Sequence, residues 1–324
     1  MQSFKEIIAY FDKRLSEIQY PEKPELLYEP IRYILSAGGK RIRPSLTLMA
    51  CNMYSQNIER ALPIALAIET FHNFTLLHDD IMDHANMRRG RKTVHVKWNE
   101  NVAILSGDAM SIIAYKYLEQ LDNEILKPVL HIFNRTAVEI CEGQQYDMDY
   151  ENMDNVSVEQ YLKMIELKTA VIIGASLQTG AIAGKAHEKD SALLYEFGRN
   201  IGIAFQLQDD FLDVYGDPKI FGKNIGGDIL SNKKTFLLIT ALNNAGGGLK
   251  QKLDFALQNN YTDSQKKIQE VTAIYNKLGI PEASEKLISE YFTKAFDFIS
   301  QTNVYPEKTK ELLSFTKSLR ERSH

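Results

Sequence analysis

The 324-residue chain lacks the features that define several protein classes. Its two cysteines, Cys51 and Cys141, cannot form a disulfide framework, which indicates free thiols in a reducing cytoplasm. Its formal net charge is −4, so it has no basic excess to attract nucleic acid. The longest apolar run without a charge, residues 169–184, is too short to span a membrane. We therefore expect a cytoplasmic protein with no membrane span and no nucleic-acid partner.

Hydrophobic residues make up 44% of the chain, and they recur at helical spacing. In the first segment, Ile7, Phe11, Leu15 and Ile18 form one stripe of an amphipathic helix. Similar segments occupy residues 25–36, 43–56, 60–84, 101–120, 124–147, 157–184, 190–215, 233–243, 263–277, 281–300 and 307–321. No pair of alternating strands with a hairpin turn between them is evident. The pattern predicts an all-α fold, and we expect one domain, residues 1–324.

Three glycine-rich segments interrupt this pattern. Residues 36–44 (SAGGKRIRP) combine a glycine pair with three basic residues and a proline suited to the first turn of a helix. Residues 215–228 (YGDPKIFGKNIGGD) contain four glycines and a proline. Residues 243–250 (NNAGGGLK) are predicted to form a surface loop.

Two aspartate clusters with the spacing DDxxD end apolar helices: Asp79, Asp80, Asp83 and Asp209, Asp210, Asp213. The outer aspartates of each cluster are four residues apart, so they lie on one helix face, about 6 Å apart along the axis. They repel each other, and the helix dipole disfavours them at a C-terminus. Divalent cations with oxygen ligands would compensate for both effects. One such cluster is a weak signal, because solvated acidic faces are common, but two in one all-α chain indicate a function.

Basic residues occur near both clusters and in the glycine-rich segments: Lys40, Arg41, Arg43, Arg88, Arg89, Arg91, Lys168, Lys223, Lys233 and Lys234. Each alone is typical of a solvated surface. Together with the two carboxylate clusters, they predict a site for a highly anionic ligand bridged by Mg²⁺, for which diphosphate is the candidate. The sequence has no Walker A loop, no GxGxxG segment and no Cys/His zinc spacing, which argues against nucleotides and transition metals.

Four motifs resemble those of the trans-type isoprenyl diphosphate synthases, or polyprenyl synthetases. They are GGKRIRP at 38–44, LLHDDIMDHANMRRG at 76–90, LKTA at 167–170 and FQLQDDFLDVYGD at 205–217. The resemblance covers nearly the whole chain and is closest to the short-chain farnesyl and geranylgeranyl diphosphate synthases. It implies a bundle of roughly ten or more helices around a deep central cavity, assembled as a homodimer. It also implies a Mg²⁺-dependent prenyltransferase that joins isopentenyl diphosphate head to tail to an allylic diphosphate, for isoprenoid biosynthesis.

The resemblance also implies roles for individual residues. Isopentenyl diphosphate would bind Lys40, Arg43, His72 and Arg89. The allylic diphosphate would bind Arg88, Lys168, Thr169, Gln206, Lys223 and Lys233. Three Mg²⁺ ions would be ligated by Asp79, Asp83 and Asp209, with Asp80, Asp210 and Asp213 in support. The implied catalytic residues are Lys168, Thr169 and Gln206, of which Thr169 and Gln206 would direct oxygen atoms at the carbocation and the migrating proton.

Helical geometry supports one part of this assignment independently, because His72, Asp79 and Asp83 lie within about 40° of one helix face. Product length is expected to depend on residues just before the first cluster. Family members that make long chains tend to have small residues at the positions of Thr75 and Phe74, and Phe71 lies a turn further back. Phe74 is therefore expected to be the floor that stops growth at C20, with C15 as an alternative product and ordinary helix packing as the alternative interpretation.

Two other functions use similar residues. A class I terpene cyclase or a head-to-head condensing enzyme also has aspartate-rich helices, and a regulatory subunit would pair with an active synthase without catalysing the reaction. The second DDxxD cluster and the set that would bind isopentenyl diphosphate argue against a cyclase, which needs no second diphosphate site. A regulatory subunit would be expected to lose aspartates, and here both clusters are complete.

Overall fold

The computed structural model describes residues 2–217, 225–258, 261 and 263–321. Over this part of the chain the structure is all-α apart from one small hairpin, which confirms the predicted fold class. The helices in chain order are α1 (Phe4–Ser16), α2 (Glu25–Leu35), α3 (Ile42–Tyr54), α4 (Leu62–Met82), α5 (Val94–Lys97), α6 (Glu100–Leu118), α7 (Asn123–Glu151), α8 (Val158–Ile165), α9 (Val171–Ala183), α10 (Glu188–Tyr215), α11 (Gly227–Leu230), α12 (Phe236–Asn244), α13 (Gly247–Gln258), α14 (Ser264–Lys277), α15 (Ile280–Ser300) and α16 (Pro306–Arg320).

Most long helices lie where the hydrophobic periodicity predicts them. The segment predicted over 60–84 is α4, preceded by a 3₁₀ turn at Ile58–Ala61, and the segment predicted over 190–215 is α10. The segment predicted over 157–184 is helical from Val158 to Ala183, but a π-helical turn at Glu166–Ala170 separates α8 from α9. Such turns are rare and occur often at functional sites.

Two features of the connections differ from the prediction. The prediction of a loop over 243–250 is wrong, since α12 continues to Asn244 and α13 already begins at Gly247. Burial of Leu253 and Ala256 stabilises α13 despite its glycine-rich first turn. The strands β1 (Met87–Arg88) and β2 (Arg91–Lys92) form an antiparallel hairpin that the sequence pattern missed, because two residues are too few to show alternation.

The chain divides into two compact units. The first unit comprises Met1–Asn134, Ala175–Tyr195 and Thr302–Phe315. One of its hydrophobic clusters joins α2, α4, α5 and α6 through Ile31, Ile34, Leu35, Leu77, Val94, Ala103 and Met110. This cluster supports the C-terminal half of α4, where the first aspartate cluster lies.

The second unit comprises Arg135–Gly174, Glu196–Gln301 and Thr316–His324. Its cluster is formed by Val214, Ile229, Leu237, Leu238, Ala241, Leu253, Ala256, Val271, Ile274, Tyr275 and Ile280. Val214 anchors the end of α10 directly after the second aspartate cluster. The organisation of residues 1–324 as a single domain stays a prediction. No helix within the described residues is both long and apolar enough to cross a bilayer.

Candidate active site

The first aspartate cluster lies in the last turn of α4. Asp83 is the C-cap, and His84 follows in the left-handed region at φ 50°. The Ala85 N–H donates to the Asp80 carbonyl at 2.9 Å and the His84 N–H donates to the Ile81 carbonyl at 3.2 Å, which is a Schellman ending. The chain therefore turns away at Asp83, and the cluster lies at the negative end of the helix dipole.

Asp80, the middle residue of this cluster, is buried and paired with an arginine. The Arg88 Nε donates to the Asp80 Oδ1 at 2.7 Å. Burial raises the pKa of the Asp80 carboxyl, and the Arg88 guanidinium opposes that shift. Asp79 is half-buried and Asp83 is exposed. Arg88 was predicted to bind diphosphate and Asp80 to support a metal, and the structure brings the two into contact.

The β1–β2 hairpin returns Arg88 toward α4. Its two-residue turn, Arg89–Gly90, has positive φ at both positions (52° and 72°), as a type I′ turn requires. The Tyr33 hydroxyl donates to the Lys92 carbonyl at 2.9 Å and holds the second strand. The hairpin thus fixes the direction of Arg88 and Arg89, two of the predicted diphosphate ligands.

Arg89 also joins the hairpin to the glycine-rich segment before α3. Its Nη1 donates to the Gly38 carbonyl at 2.5 Å and to the Asn73 Oδ1 at 3.4 Å. Gly38 and Gly39 both have positive φ, and a Cβ added to Gly39 would lie 3.0 Å from the Arg89 Cζ. Glycine at position 39 therefore has a steric reason, because the Arg89 guanidinium packs against its backbone, whereas at position 38 the positive φ is the reason. Lys40, the next residue, is exposed.

Arg41, between the predicted ligands Lys40 and Arg43, has a structural role. It is 5% exposed and adopts a left-handed conformation at φ 48°. Its Nη1 pairs with the Glu69 Oε1 at 2.5 Å, its Nε pairs with Asp12 at 3.0 Å, and its Nη2 donates to the Leu35 carbonyl. Since its donors are taken up in this way, Arg41 fixes the start of α3, and Arg43 follows one half-turn later.

His72 and Arg43 lie in a strongly cationic environment. Burial and four arginines, Arg43 first among them, lower the pKa of His72 well below its usual value, so its imidazole is neutral at pH 7. Burial lowers the pKa of the Arg43 guanidinium to about 10, which leaves it charged at pH 7. The Arg43 Nε is buried and has no hydrogen-bond partner within the described part of the chain. A buried donor among like charges suits an anionic ligand.

In the second unit, four side chains that carry hydroxyl, amide or carboxyl groups form a continuous chain of hydrogen bonds. The Thr169 hydroxyl donates to the Gln206 Oε1 at 3.3 Å, and the Gln206 Nε2 donates to the Asp210 Oδ1 at 2.8 Å. The Tyr161 hydroxyl donates to the Asp210 Oδ2 at 2.5 Å. Burial raises the pKa of the Asp210 carboxyl, and Lys233 opposes the shift. Thr169 and Gln206, predicted to act together, are therefore in direct contact.

The π-helical turn that carries Lys168 and Thr169 packs closely against α7. A Cβ added to Gly143 would lie 2.3 Å from the Lys168 backbone nitrogen. The Lys168 ammonium contacts the Asp147 Oδ2 at 2.5 Å, and both side chains are largely buried. Gly143 thus permits the close approach, and Asp147 determines where the predicted catalytic lysine points.

The outer aspartates of the second cluster have different surroundings. Asp209 is half-buried on α10. The Asp213 Oδ2 accepts the Asp228 backbone N–H at 2.9 Å and so connects α10 to the start of α11. Lys233 is exposed in the loop after α11. Lys223 lies outside the described residues, so the structure has no bearing on its predicted role.

These carboxylates suit a hard divalent cation in their chemistry. Within the described ranges, no group of three or more His, Cys, Asp or Glu side chains converges as a complete protein cage. Mg²⁺ does not need one, since it is held by one or two carboxylates, substrate phosphate oxygens and water. The carboxylates of Asp79, Asp83 and Asp209 have the chemistry that this requires, and both oxygens of Asp210 accept hydrogen bonds.

The residues predicted to limit chain length belong to an aromatic group on and beside α4. The Phe71 and Phe74 rings meet edge to face at 5.3 Å, and the Phe71 ring meets Phe133 at 5.2 Å. Phe74 also contacts the His78 ring at 4.7 Å. The Thr75 hydroxyl donates to the His72 carbonyl at 2.9 Å. This packing includes Phe74 in the aromatic group of the first unit, and its role as a floor stays a prediction.

Sequence reasoning missed four residues that position the predicted ones: Glu69, Asn73, Asp147 and Tyr161. Asn73 and Glu69 are buried polar residues on the otherwise apolar face of α4. Polar residues within an apolar helical segment are visible in the sequence, so this signal could have identified both. Asp147 lies on α7 within a polar sequence, where one acid does not stand out. Tyr161 has no sequence signal, because an isolated tyrosine on an apolar stripe is typical of core packing.

Comparison with known proteins agrees with this geometry. A sequence model of the polyprenyl synthetase family matches residues 24–278. The geranylgeranyl diphosphate synthase of Methanosarcina mazei is 41% identical over 235 residues, which are 72% of this chain and 72% of that protein. A solved structure of a geranylgeranyl pyrophosphate synthase has a TM-score of 0.95 at 43% identity and covers 100% of both chains. The polyprenyl synthase from Caulobacter crescentus, solved with calcium and isoprenyl diphosphate, has a TM-score of 0.83 at 26% identity and covers 98% of this chain and 95% of that one.

Proposed function

Because this chain belongs to the polyprenyl synthetase family, we propose that it condenses isopentenyl diphosphate head to tail with an allylic diphosphate to give an all-trans C20 prenyl diphosphate. The chain is a short-chain trans-prenyltransferase. The similarity to two geranylgeranyl diphosphate synthases supports C20 over C15 as the product.

The observation that carries the proposal is the contact between Thr169 and Gln206. The two residues come from different helical segments, and the 3.3 Å hydrogen bond places their oxygen atoms side by side. Paired oxygen atoms carry partial negative charge, so they stabilise a positive charge that develops next to them. This arrangement supports chemistry through an allylic cation.

The cationic group of the first unit supports a site for the diphosphate of isopentenyl diphosphate. We assign this role to Lys40, Arg43, His72 and Arg89. The neutral imidazole of His72 would donate a hydrogen bond without adding charge, and the unpartnered Nε of Arg43 would donate a charge-assisted one.

The allylic diphosphate is assigned to Arg88, Lys168, Lys223 and Lys233. Cleavage of the allylic C–O bond leaves an extra negative charge on the diphosphate, which these cations stabilise. Mg²⁺ held by Asp79, Asp83 and Asp209, with three ions expected, would supply further charge neutralisation there. The C3–C4 double bond of isopentenyl diphosphate then attacks the allyl cation, and a proton leaves to the departing diphosphate. An apolar environment that excludes water would protect the cation.

A homodimer is part of the proposal. Helix α6 exposes large apolar side chains on one side, among them Leu105 (61% exposed) and Ile112 (62% exposed). Residues seven apart lie on the same helix face, so the two form a stripe suited to a second copy of the chain. The free thiols of Cys51 and Cys141 are compatible with the expected cytoplasmic location.

The experiment that tests this function is a product profile. Purified protein with Mg²⁺ receives isopentenyl diphosphate and, separately, C5, C10 and C15 allylic primers, and the dephosphorylated products are sized by chromatography. One dominant C20 product is expected. Absence of elongation with every primer, despite diphosphate binding, would favour the cyclase or the regulatory subunit.

The same assay tests the floor residue. Phe74→Ala is expected to lengthen the product, because it removes the ring that packs on Phe71 and His78. Phe255→Ala is the matched control, since Phe255 is a 56% exposed phenylalanine on α13. An unchanged product length in Phe74→Ala would mean that Phe74 serves ordinary helix packing.

A further inference from the structure

We propose that Tyr161 is a positioning residue for prenyl transfer: it holds Asp210, and Asp210 fixes the orientation of the Gln206 amide. The inference rests on the proposed function and concerns the same site. Tyr161 is 1% exposed on α8, which begins with a capping box between Ser157 and Gln160. Its position is therefore determined by a well-formed helix start and by burial.

The orientation of the Gln206 amide follows from the chemistry of its neighbours. A carboxylate oxygen accepts hydrogen bonds and cannot donate them. The Gln206 Nε2 must therefore face the Asp210 Oδ1, at 2.8 Å, which leaves the Gln206 Oε1 beside the Thr169 hydroxyl. A flipped amide would place two acceptors against each other at Asp210. The carboxylate thus decides which end of the amide faces Thr169.

Tyr161 determines whether Asp210 can fix the orientation of the Gln206 amide. Asp210 is 4% exposed, so its carboxylate has little access to water and depends on protein donors. The Tyr161 hydroxyl supplies the donor for Oδ2, while Gln206 supplies the donor for Oδ1. Without the hydroxyl, Oδ2 loses this donor, so the carboxylate is less constrained about its Cβ–Cγ bond even though the charge of Lys233 still acts on it. The amide of Gln206 then loses its fixed partner.

The consequence for catalysis concerns partial charge. In the observed orientation, the Gln206 oxygen faces the same side as the Thr169 oxygen, and hydrogen bonds in series polarise one another. This increases the negative partial charge that a nearby carbocation meets. A flipped amide would present N–H groups with positive partial charge instead. Tyr161 therefore affects the chemical step through the Asp210 carboxylate, to which its hydroxyl donates.

The test is Tyr161→Phe, which keeps the ring and removes the hydroxyl. We expect kcat to fall about 10-fold or more, while KM for both substrates changes less than about 2-fold. Tyr261→Phe is the matched control, because it removes a tyrosine–carboxylate hydrogen bond, to Glu270 at 3.0 Å, on an exposed part of the same unit. An unchanged kcat in a folded Tyr161→Phe would overturn the inference.

A double-mutant cycle separates positioning from a structural role. If Tyr161 acts through Gln206, Tyr161→Phe should change kcat less than about 2-fold in a Gln206→Ala background. If it acts by holding the fold together, its effect should multiply with that of Gln206→Ala, and the inference would be wrong. Wild-type protein that does not elongate any primer would contradict the proposed function instead.

If Tyr161→Phe does not fold, Asp210→Asn provides a second test of the same chain of hydrogen bonds. Asparagine has the shape of aspartate but also presents an NH₂ group, so it no longer forces the Gln206 amide into one orientation. A fall in kcat of at least about 3-fold is expected, with both KM values within about 2-fold of wild type. Full retention of kcat would overturn the inference.

Discussion

Asp80 and Asp210 are the middle residues of two clusters with the same spacing, and both are buried, at 3% and 4% exposure. Asp80 pairs with a cation, Arg88, at 2.7 Å. Asp210 accepts hydrogen bonds from two neutral groups, the Tyr161 hydroxyl and the Gln206 amide. Burial raises the pKa of both carboxyls, so each needs its partners to remain ionised.

The comparison shows that one motif serves two kinds of surroundings. The first cluster belongs to a group of arginines, whose charges are balanced in part by the buried Glu69. The second belongs to a chain of oriented dipoles that ends at Thr169. Paired charges thus surround the first cluster, which suits diphosphate binding, whereas the second combines the charge of Lys233 with directed hydrogen bonds, which suits stabilisation of a cation.

The largest effect on activity is expected from the outer aspartates, because each cluster has a pair of them. Asp79→Asn and Asp209→Asn should each lower kcat/KM by at least about 10³-fold, because each removes charge from a proposed metal ligand. Steady-state assays at saturating Mg²⁺ measure this. Asp297→Asn, at an exposed position on α15, is the control and should leave turnover unchanged. Near-normal turnover in Asp79→Asn would contradict the assigned mechanism.

The charged surroundings of the first cluster are tested by Glu69→Ala. This substitution leaves Arg41 buried without its main partner and should lower the free energy of unfolding by about 3–5 kcal/mol. Urea denaturation is the measurement. Glu17→Ala breaks an exposed pair with Arg14 at 3.4 Å and should cost less than about 1 kcal/mol. Equal losses of unfolding free energy in the two variants would mean that the Arg41–Glu69 pair does not stabilise the fold as predicted.

The surroundings of the second cluster can be disturbed without changing any polar group. In Gly143→Ala the added methyl group would overlap the Lys168 backbone, so the π-helical turn must shift. We expect a loss of about 1–3 kcal/mol in unfolding free energy together with a lower kcat. Gly246→Ala is the control, since nothing lies within 4 Å of a Cβ there. A fully active Gly143→Ala would show that Lys168 and Thr169 tolerate displacement.

The smallest effect concerns the pH dependence of stability that arises from His72 in the arginine-rich surroundings of the first cluster. The pKa of His72 is depressed in the folded state, so the unfolded chain takes up a proton first as the pH falls. Its contribution to stability is therefore present above about pH 6.5 and is lost as the pH decreases, by up to about 1.4 kcal/mol per pH unit. Melting temperatures between pH 8 and pH 5 measure this, and His72→Gln should flatten the curve. His131→Gln, at an exposed position on α7, should leave it unchanged.

Local sequence patterns predicted the elements that carry the site. The apolar run over 60–84 corresponds to α4, because a helix buried on most sides needs apolar residues at most positions. The aspartates at its end stand out for the same reason, since they break that run. The β1–β2 hairpin, whose strands have two residues each, and the five-residue π-helical turn were not predictable in this way, because these elements are too short to show a period.

Residues close together in the chain are enough to predict the all-α class, the two DDxxD clusters and the family motifs. The partners of each carboxylate depend instead on how distant helices pack. Asp210 meets Tyr161 across 49 positions of sequence, and Thr169 meets Gln206 across 37. Neither pairing leaves a trace in local spacing, since it is the packing of whole helices that brings such side chains within hydrogen-bond distance.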